Sequence, residues 1–254
     1  MAFINTPNLP EDLVNLVVVD ERIAAEAEHA LHCMEIEILK VVSHKNLYPA
    51  VASHPDMLIH HVGKNTVIYA PDTDAQLLRR LEQYGFLLMK GEAYISPKYP
   101  SDIAYNVARV GHYYFQNLKY TDPVIKRQLE GQGVEPVNVK QGYAKCSVLV
   151  LDENSIVTSD PGIAKAAESK DLNVLFVKER AIRLPGLNYG FIGGIGGMIS
   201  KNTLAINGDI KKLDCYSELV DFISKRNIKY VCLSDEYVTD IGSIIPLNMH
   251  ECRK

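Results

Sequence analysis

Cys146 is the residue in this sequence whose type and setting best suit a nucleophile. It stands at the head of an apolar run that continues through Leu151. A free thiol is mostly protonated at neutral pH, so nucleophilic use needs a nearby cation to favour the thiolate. Lys145 is adjacent, but on a regular strand it would point to the opposite side. His54, in the sequence His54-Pro55-Asp56, is the better partner. The other reading of Cys146 is a small buried hydrophobe, and of His54 a cap on the turn before Pro55. Asp102 and Asp240 follow Ser101 and Thr239, pairs that also form ordinary local hydrogen bonds. His60 and His61 are neighbours on a strand, so they point to opposite faces and form no chelating pair.

The five cysteines are scattered, with no C-x-x-C and no Cys/His cluster at metal spacing. Neither a metal nor a cofactor is implied. Cys33 and Cys232 fall in helix and strand runs and read as core; Cys252, in the polar tail, reads as an incidental thiol. The odd cysteine count fits a reducing, cytoplasmic setting. A net charge of -4 without a basic run gives no footprint for nucleic acid. The N-terminus is too polar for a signal peptide, and no apolar stretch approaches the ~20 residues of a membrane span. An apolar content of 47% in 254 residues supports a core without disulfide or metal staples.

The elements that must carry these residues recur. Leu16–Val19 reads as a buried strand, followed by a helix from Glu21 to Met34 and a strand at Ile36–Val42. From His54 the order is strand (57–62), turn, strand (66–69), a helix begun by Asp72-Thr73-Asp74 and closed by Gly85, then strand (86–89). The same grammar repeats from Ser101, from Lys145, and from the Gly-rich run that ends in Gly193, Gly194, Gly196 and Gly197. Asp122-Pro123 and Asp160-Pro161 are helix starts of the expected kind. The turn between the first two strands repeats as Lys64-Asn65-Thr66-Val67, Glu153-Asn154-Ser155-Ile156 and Lys201-Asn202-Thr203-Leu204, with Asn suited to positive φ. Gly111-His112 stands there in the third unit. After Thr239-Asp240 the chain supplies only a first strand, which the N-terminal segment lacks.

The expectation is one domain over residues 1–254, made of five strand-strand-helix-strand units with a period of roughly 40–50 residues. The units are 239–247 joined to 16–42, then 54–90, 101–140, 145–178 and 189–234. Such units bury one sheet face under helices and the other against neighbours, which predicts an α/β fivefold propeller closed by both termini. The glycine run does not read as a dinucleotide fingerprint, because a turn and a strand follow it instead of a helix. Its glycines instead leave room at a channel mouth for a ligand or another backbone. The segment 180–188 before it reads as a lid, with Arg183 available to a substrate carboxylate.

This repeat resembles the pentein superfamily, the fold of guanidino-group-modifying enzymes such as arginine deiminase, dimethylarginine dimethylaminohydrolase and the amidinotransferases. The resemblance implies that the heads of the first strands face an axial channel holding a small guanidino compound. It implies Cys146 as nucleophile, His54 as acid and base, and Asp56, Asp102 and Asp240 as carboxylates for the guanidinium, with Gly194, Gly196 and Gly197 at the channel mouth. Two features depart from the family: its nucleophile usually stands near the C-terminus, and its Gly-Gly-Asp signature is reduced here to Gly-Gly. The alternative is a non-catalytic pentein that binds a protein or ribosomal partner through its ring face. An oligomer is compatible with either.

Overall fold

A computed structural model describes residues 2–250. Its strands form five small sheets, and all five are built to one plan. The first is β1 (Ala2–Phe3), β2 (Val14–Asp20) and β3 (Glu37–Val41), with helix α1 (Ala25–Cys33) between β2 and β3. The second follows the short turn α2 (Pro55–Leu58) and holds β4 (Ile59–Gly63), β5 (Thr66–Tyr69), α3 (Ala75–Gln83) and β6 (Leu87–Lys90). The third holds β7 (Ala108–Val110), β8 (Tyr113–Gln116), α4 (Pro123–Gly131) and β9 (Glu135–Asn138). The fourth follows the turn α5 (Ala144–Ser147) and holds β10 (Val148–Asp152), β11 (Ser155–Thr158), α6 (Pro161–Glu168) and β12 (Asn173–Phe176). The fifth holds β13 (Gly196–Ser200), β14 (Thr203–Ile206), α7 (Tyr216–Ser224) and β15 (Lys229–Cys232). The last strand, β16 (Ile245–Met249), returns to the first sheet, which runs β1-β16-β2-β3.

Each sheet contains an antiparallel pair whose second strand is parallel to a third; in the first sheet these three strands are β16, β2 and β3. The expectation that the two termini complete one unit is met by β16 lying antiparallel to β2. β1, in a segment read as a polar lead-in, adds an edge to β16.

The repeat is sharpest in hydrogen bonds. Each long helix ends in the same Schellman-type closure, a 6→1 bond past a left-handed residue. The bonds run from the N–H of Ile36, Phe86, Val134, Leu172 and Ile228 to the carbonyls of Leu31, Leu81, Leu129, Ala167 and Ile223, at 3.0–3.1 Å. The residue before each donor has positive φ: Glu35, Gly85, Gly133, Asp171 and Asn227. Asp74, Asp122 and Asp160 cap three of these helices by accepting from backbone N–H groups in the first turn.

The recurring Asn turn works differently from the expectation. Among the three turns, positive φ falls on Gly63 and Lys64, not on Asn65, Asn154 or Asn202. What repeats is the Asn carbonyl, which accepts the N–H of Leu87, Asn173 or Lys229 at the start of the third strand, at 2.7–2.8 Å. His112 does the same for Glu135, so the backbone bond survives where the sequence pattern breaks. A register shift also accompanies each Asn turn, at His61/Gly63, Val150/Asp152 and Met198/Ser200.

The core follows the helix stripes, with Leu77 and Leu81, Ile125 and Leu129, and Leu219 and Ile223 all buried. Cys33 departs from its core reading and is exposed, and Cys232 is half-buried. Cys252 lies outside the described residues. No helix among them is long and apolar enough to cross a membrane.

Candidate functional site

The segments before the first strands do not begin as strands. His54 is followed by one helical turn, with Pro55 opening it, and Cys146 lies inside another, α5. Pro fits the first turn because it has no N–H to leave unpaired. These turns decide where the side chains go. A strand would send Lys145 and Cys146 to opposite sides; the helical turn brings both into the interior.

There, His54, Asp56 and Cys146 each offer a donor atom within 4.8 Å of the others, and all three are buried. The Cys146 thiol donates to Asp56 Oδ2 at 3.1 Å and accepts from Asn106 Nδ2 at 3.0 Å. Asn106 clamps the turn, since its Oδ1 accepts the N–H of Lys145 at 2.8 Å and of Cys146 at 3.2 Å. His54 lies 3.8 Å from Asp20 on one ring nitrogen and 3.8 Å from Asp240 on the other. Neither nitrogen has a hydrogen-bond partner among the described residues. Asp20 is in turn held by Arg22 Nη2 at 2.5 Å and Ser53 Oγ at 2.8 Å. Lys145 Nζ donates to Ser243 Oγ at 2.7 Å, and Ser243 Oγ lies 3.4 Å from Asp56 Oδ2.

Burial governs the protonation of this cluster. It pushes the Asp56 carboxyl up to about 6, against the attraction of His54 and Lys145. It raises the Cys146 thiol well above its ordinary value, and the carboxylates of Asp56 and Asp240 raise it further. Burial also lowers Lys145, although the acids around it act the other way. As it stands, then, Cys146 is a thiol and not a thiolate. The three donors are close enough for one ion to span, yet the thiol is already engaged by Asp56 and Asn106.

The other expected residues divide. Asp240 joins the cluster; its carboxylate also accepts from Phe191 N at 2.9 Å and Gly242 N at 3.0 Å. Asp102 is buried and accepts from the Tyr143 hydroxyl. Arg183 is exposed and its guanidinium stacks 3.7 Å over Tyr237. Its backbone carbonyl accepts Asp240 N at 2.9 Å, so the 180–188 segment anchors Asp240 by main chain.

Where the three glycines lack a side chain, protein fills the space, which is the close-approach alternative of the two expectations. A Cβ on Gly194 would sit 1.8 Å from Asp240 Oδ1, on Gly196 2.0 Å from Ala205 O, and on Gly197 2.0 Å from Ile244 O. They permit protein to approach protein. Asp20, Asn106 and Ser243 were missed by sequence reasoning. Asp20 carried a signal, an acid closing an apolar strand two residues before Arg22; Asn106 and Ser243 carried none.

Space at the cluster is small. A cavity of about 20 Å³ touches Asp56, His60, His61 and Lys145. Larger ones, about 520 Å³ beside Glu11 and Arg226 and about 410 Å³ beside Phe176 and Tyr189, have other linings. Tyr143 stacks on Phe191 with centroids 6.1 Å apart, and Tyr48 of the 43–53 loop donates to Gly186 O at 3.4 Å, tying the 180–191 segment down.

Solved structures share this fold. Inosamine-phosphate amidinotransferase from Streptomyces griseus is 11% identical, with 100% of this chain and 99% of that one covered at a TM-score of 0.59. Agmatine deiminase from C. jejuni is 11% identical, with 92% and 90% covered at 0.55. An amidinotransferase of saxitoxin biosynthesis from Microseira wollei is 16% identical, with 90% and 91% covered at 0.53. All three are penteins, so the fold of this chain is the pentein fold. No curated protein matches the sequence. A family model does match, over residues 18–245, and on that match the chain belongs to the family of unknown function DUF6873.

Proposed function

We propose that the protein is a hydrolase or amidinotransferase acting on a small guanidino compound through a covalent enzyme intermediate. In this reading the five sheets stand around one axis as a fivefold α/β propeller of a single domain, with the cluster on the axis. One observation carries the proposal: a Cys146 thiol hydrogen-bonded to a buried carboxylate, with an unpartnered buried imidazole beside it, in a chain with the fold of guanidino-modifying enzymes.

The electrostatics give the substrate a part in activation. Burial first, and then the charges of Asp56 and Asp240, hold Cys146 protonated. A guanidinium paired with these acids would place positive charge beside the sulfur and favour the thiolate. Cys146 Sγ then adds to the guanidino carbon, and the thiol proton passes to His54. The C–N bond to the departing amine breaks as His54 returns the proton to it. Water, or a second amine, takes the amidino group and restores the thiol. Asp102 would act through Tyr143. Arg183 would have to leave Tyr237 to meet a substrate carboxylate.

The test is a panel of arginine, methylated arginines, agmatine and related compounds, assayed for ammonia, amine or urea. The expected result is product from one class of compound and at least a hundredfold loss in Cys146→Ser. A second reading, a non-catalytic ring that binds a protein or ribosomal partner with its face, is favoured by the sealing of Cys146 at 1% exposure. Absence of product from every compound would select it.

A further inference from the structure

Ser243 stands at the head of β16, fully buried, with a backbone φ of +79°. A serine in the left-handed region is strained, and such strain persists only where surrounding contacts enforce it. Here they do. Its N–H donates to Gly194 O at 3.1 Å. Its hydroxyl donates to Gly193 O at 2.8 Å and accepts from Lys145 Nζ at 2.7 Å. The strain therefore aims one hydroxyl at one buried amine.

Lys145 is unusual on its own account. A buried ammonium in an acidic core would ordinarily be ion-paired. Among the described residues Lys145 makes no carboxylate contact within 4.0 Å, and Ser243 Oγ is its hydrogen-bond partner. Asp56 Oδ1 meanwhile has no partner among those residues, and both Asp56 and Lys145 border the 20 Å³ cavity. An amine used only for charge balance would sit on that carboxylate. This one sits on a hydroxyl.

We infer that Ser243 and Lys145 form a serine–lysine pair, a second nucleophile in the same centre, directed at a small cationic amidine or guanidine. The inference rests on the reading of the centre as one for guanidino compounds. With Lys145 neutral and the hydroxyl turned from Gly193 O to its amine, Lys145 takes the hydroxyl proton as Ser243 Oγ bonds to the amidino carbon. The C–N bond to the leaving amine breaks, and Lys145 Nζ returns the proton to that amine. An O-linked amidino group remains on Ser243. Water then adds to its carbon, the C–O bond to Ser243 breaks, and the serine hydroxyl is restored with release of the urea-type product. Asp56, 3.4 Å from Ser243 Oγ, balances the substrate cation. Burial, which lowers Lys145, favours the neutral amine that the first step needs.

The experiment treats the full chain with phenylmethylsulfonyl fluoride, and separately with iodoacetamide, and maps the modified peptides. The sulfonyl fluoride is expected to modify Ser243. Lys145→Met should slow that modification at least tenfold. Lys145→Arg should not restore it, because arginine keeps the charge but cannot accept the proton. In Ser243→Cys, which preserves side-chain size, iodoacetamide should modify position 243. No modification at 243 by either route overturns the inference, as does a wild-type rate in Lys145→Arg. Alkylation of Cys146 with Ser243 untouched also overturns it while leaving the proposed function standing. Modification of Ser243 without product from any guanidino compound sustains the pair and rejects that function.

Discussion

The protein is expected to lose about 3 kcal/mol of stability between neutral pH and about pH 4.5, with two buried imidazoles as the cause. His60 is pushed down to about 3 by burial, reinforced by His61, Arg109 and Lys145, and burial pushes His61 down to about 4. Both folded values lie below the ordinary 6.5, so the stability they reflect is present above 6.5 and is lost as the pH falls below it. At about pH 4.5, two units below the ordinary value, the two rings together have cost about 5 kcal/mol. Asp56 acts in the opposite direction. Its carboxyl is raised from 3.8 to about 6, so the folded state binds that proton first and regains about 2 kcal/mol over the same interval. The difference is the expected net loss. Urea unfolding at the two pH values measures it. His60→Leu should remove roughly half of the gross loss, whereas equal stability at both pH values in the wild type would contradict the account.

Gly193→Ala is expected to cost at least about 3 kcal/mol, at or beyond the upper end of ordinary overpacking. A methyl group there would lie 2.3 Å from Lys145 O, 2.5 Å from Val148 O and 2.6 Å from Cys146 O. All three are backbone atoms of the turn that carries Cys146 and the strand that follows it, so no side chain can rotate away to relieve the contact. The chain must either move that turn or fail to close on it. Gly131, at the end of α4, is the matched control. Nothing lies within 4 Å of its added Cβ and its φ is not positive, so Gly131→Ala should be neutral or stabilising by up to about 1 kcal/mol. Thermal unfolding of the two variants separates these outcomes. Equal melting temperatures would mean that the glycine run is not a packing device.

The repeat was readable because its elements are local. Apolar runs, Asp-Pro helix starts and turn residues mark each unit regardless of the rest of the chain. The closure by β16 followed from counting what the first unit lacked. What escaped was set by contacts distant in sequence. Lys145 was assigned to the wrong side because the run after it is apolar and strand-like, while residues 144–147 form a helical turn clamped by Asn106, 40 residues from Cys146. Ser243 meets Lys145 across 98 positions, and neither neighbourhood carries a pattern that announces the other. The 190–197 glycines signal room for a ligand or for another backbone, and the sequence does not choose between them; the atoms that fill the space at Gly194, Gly196 and Gly197 belong to Asp240, Ala205 and Ile244. A glycine marks close approach, but the sequence alone does not say of what.

The centre's capacity for covalent chemistry is the claim on which the rest depends, and acid-quench mass spectrometry tests it most directly. The full chain is mixed with each guanidino compound, quenched within the turnover time, weighed intact and peptide-mapped. The account predicts, for one class of compound, a mass increase corresponding to a transferred amidino group, located on Cys146 or Ser243 and absent when both are replaced. An unmodified chain with every compound, or an increase that survives the double replacement, would contradict it.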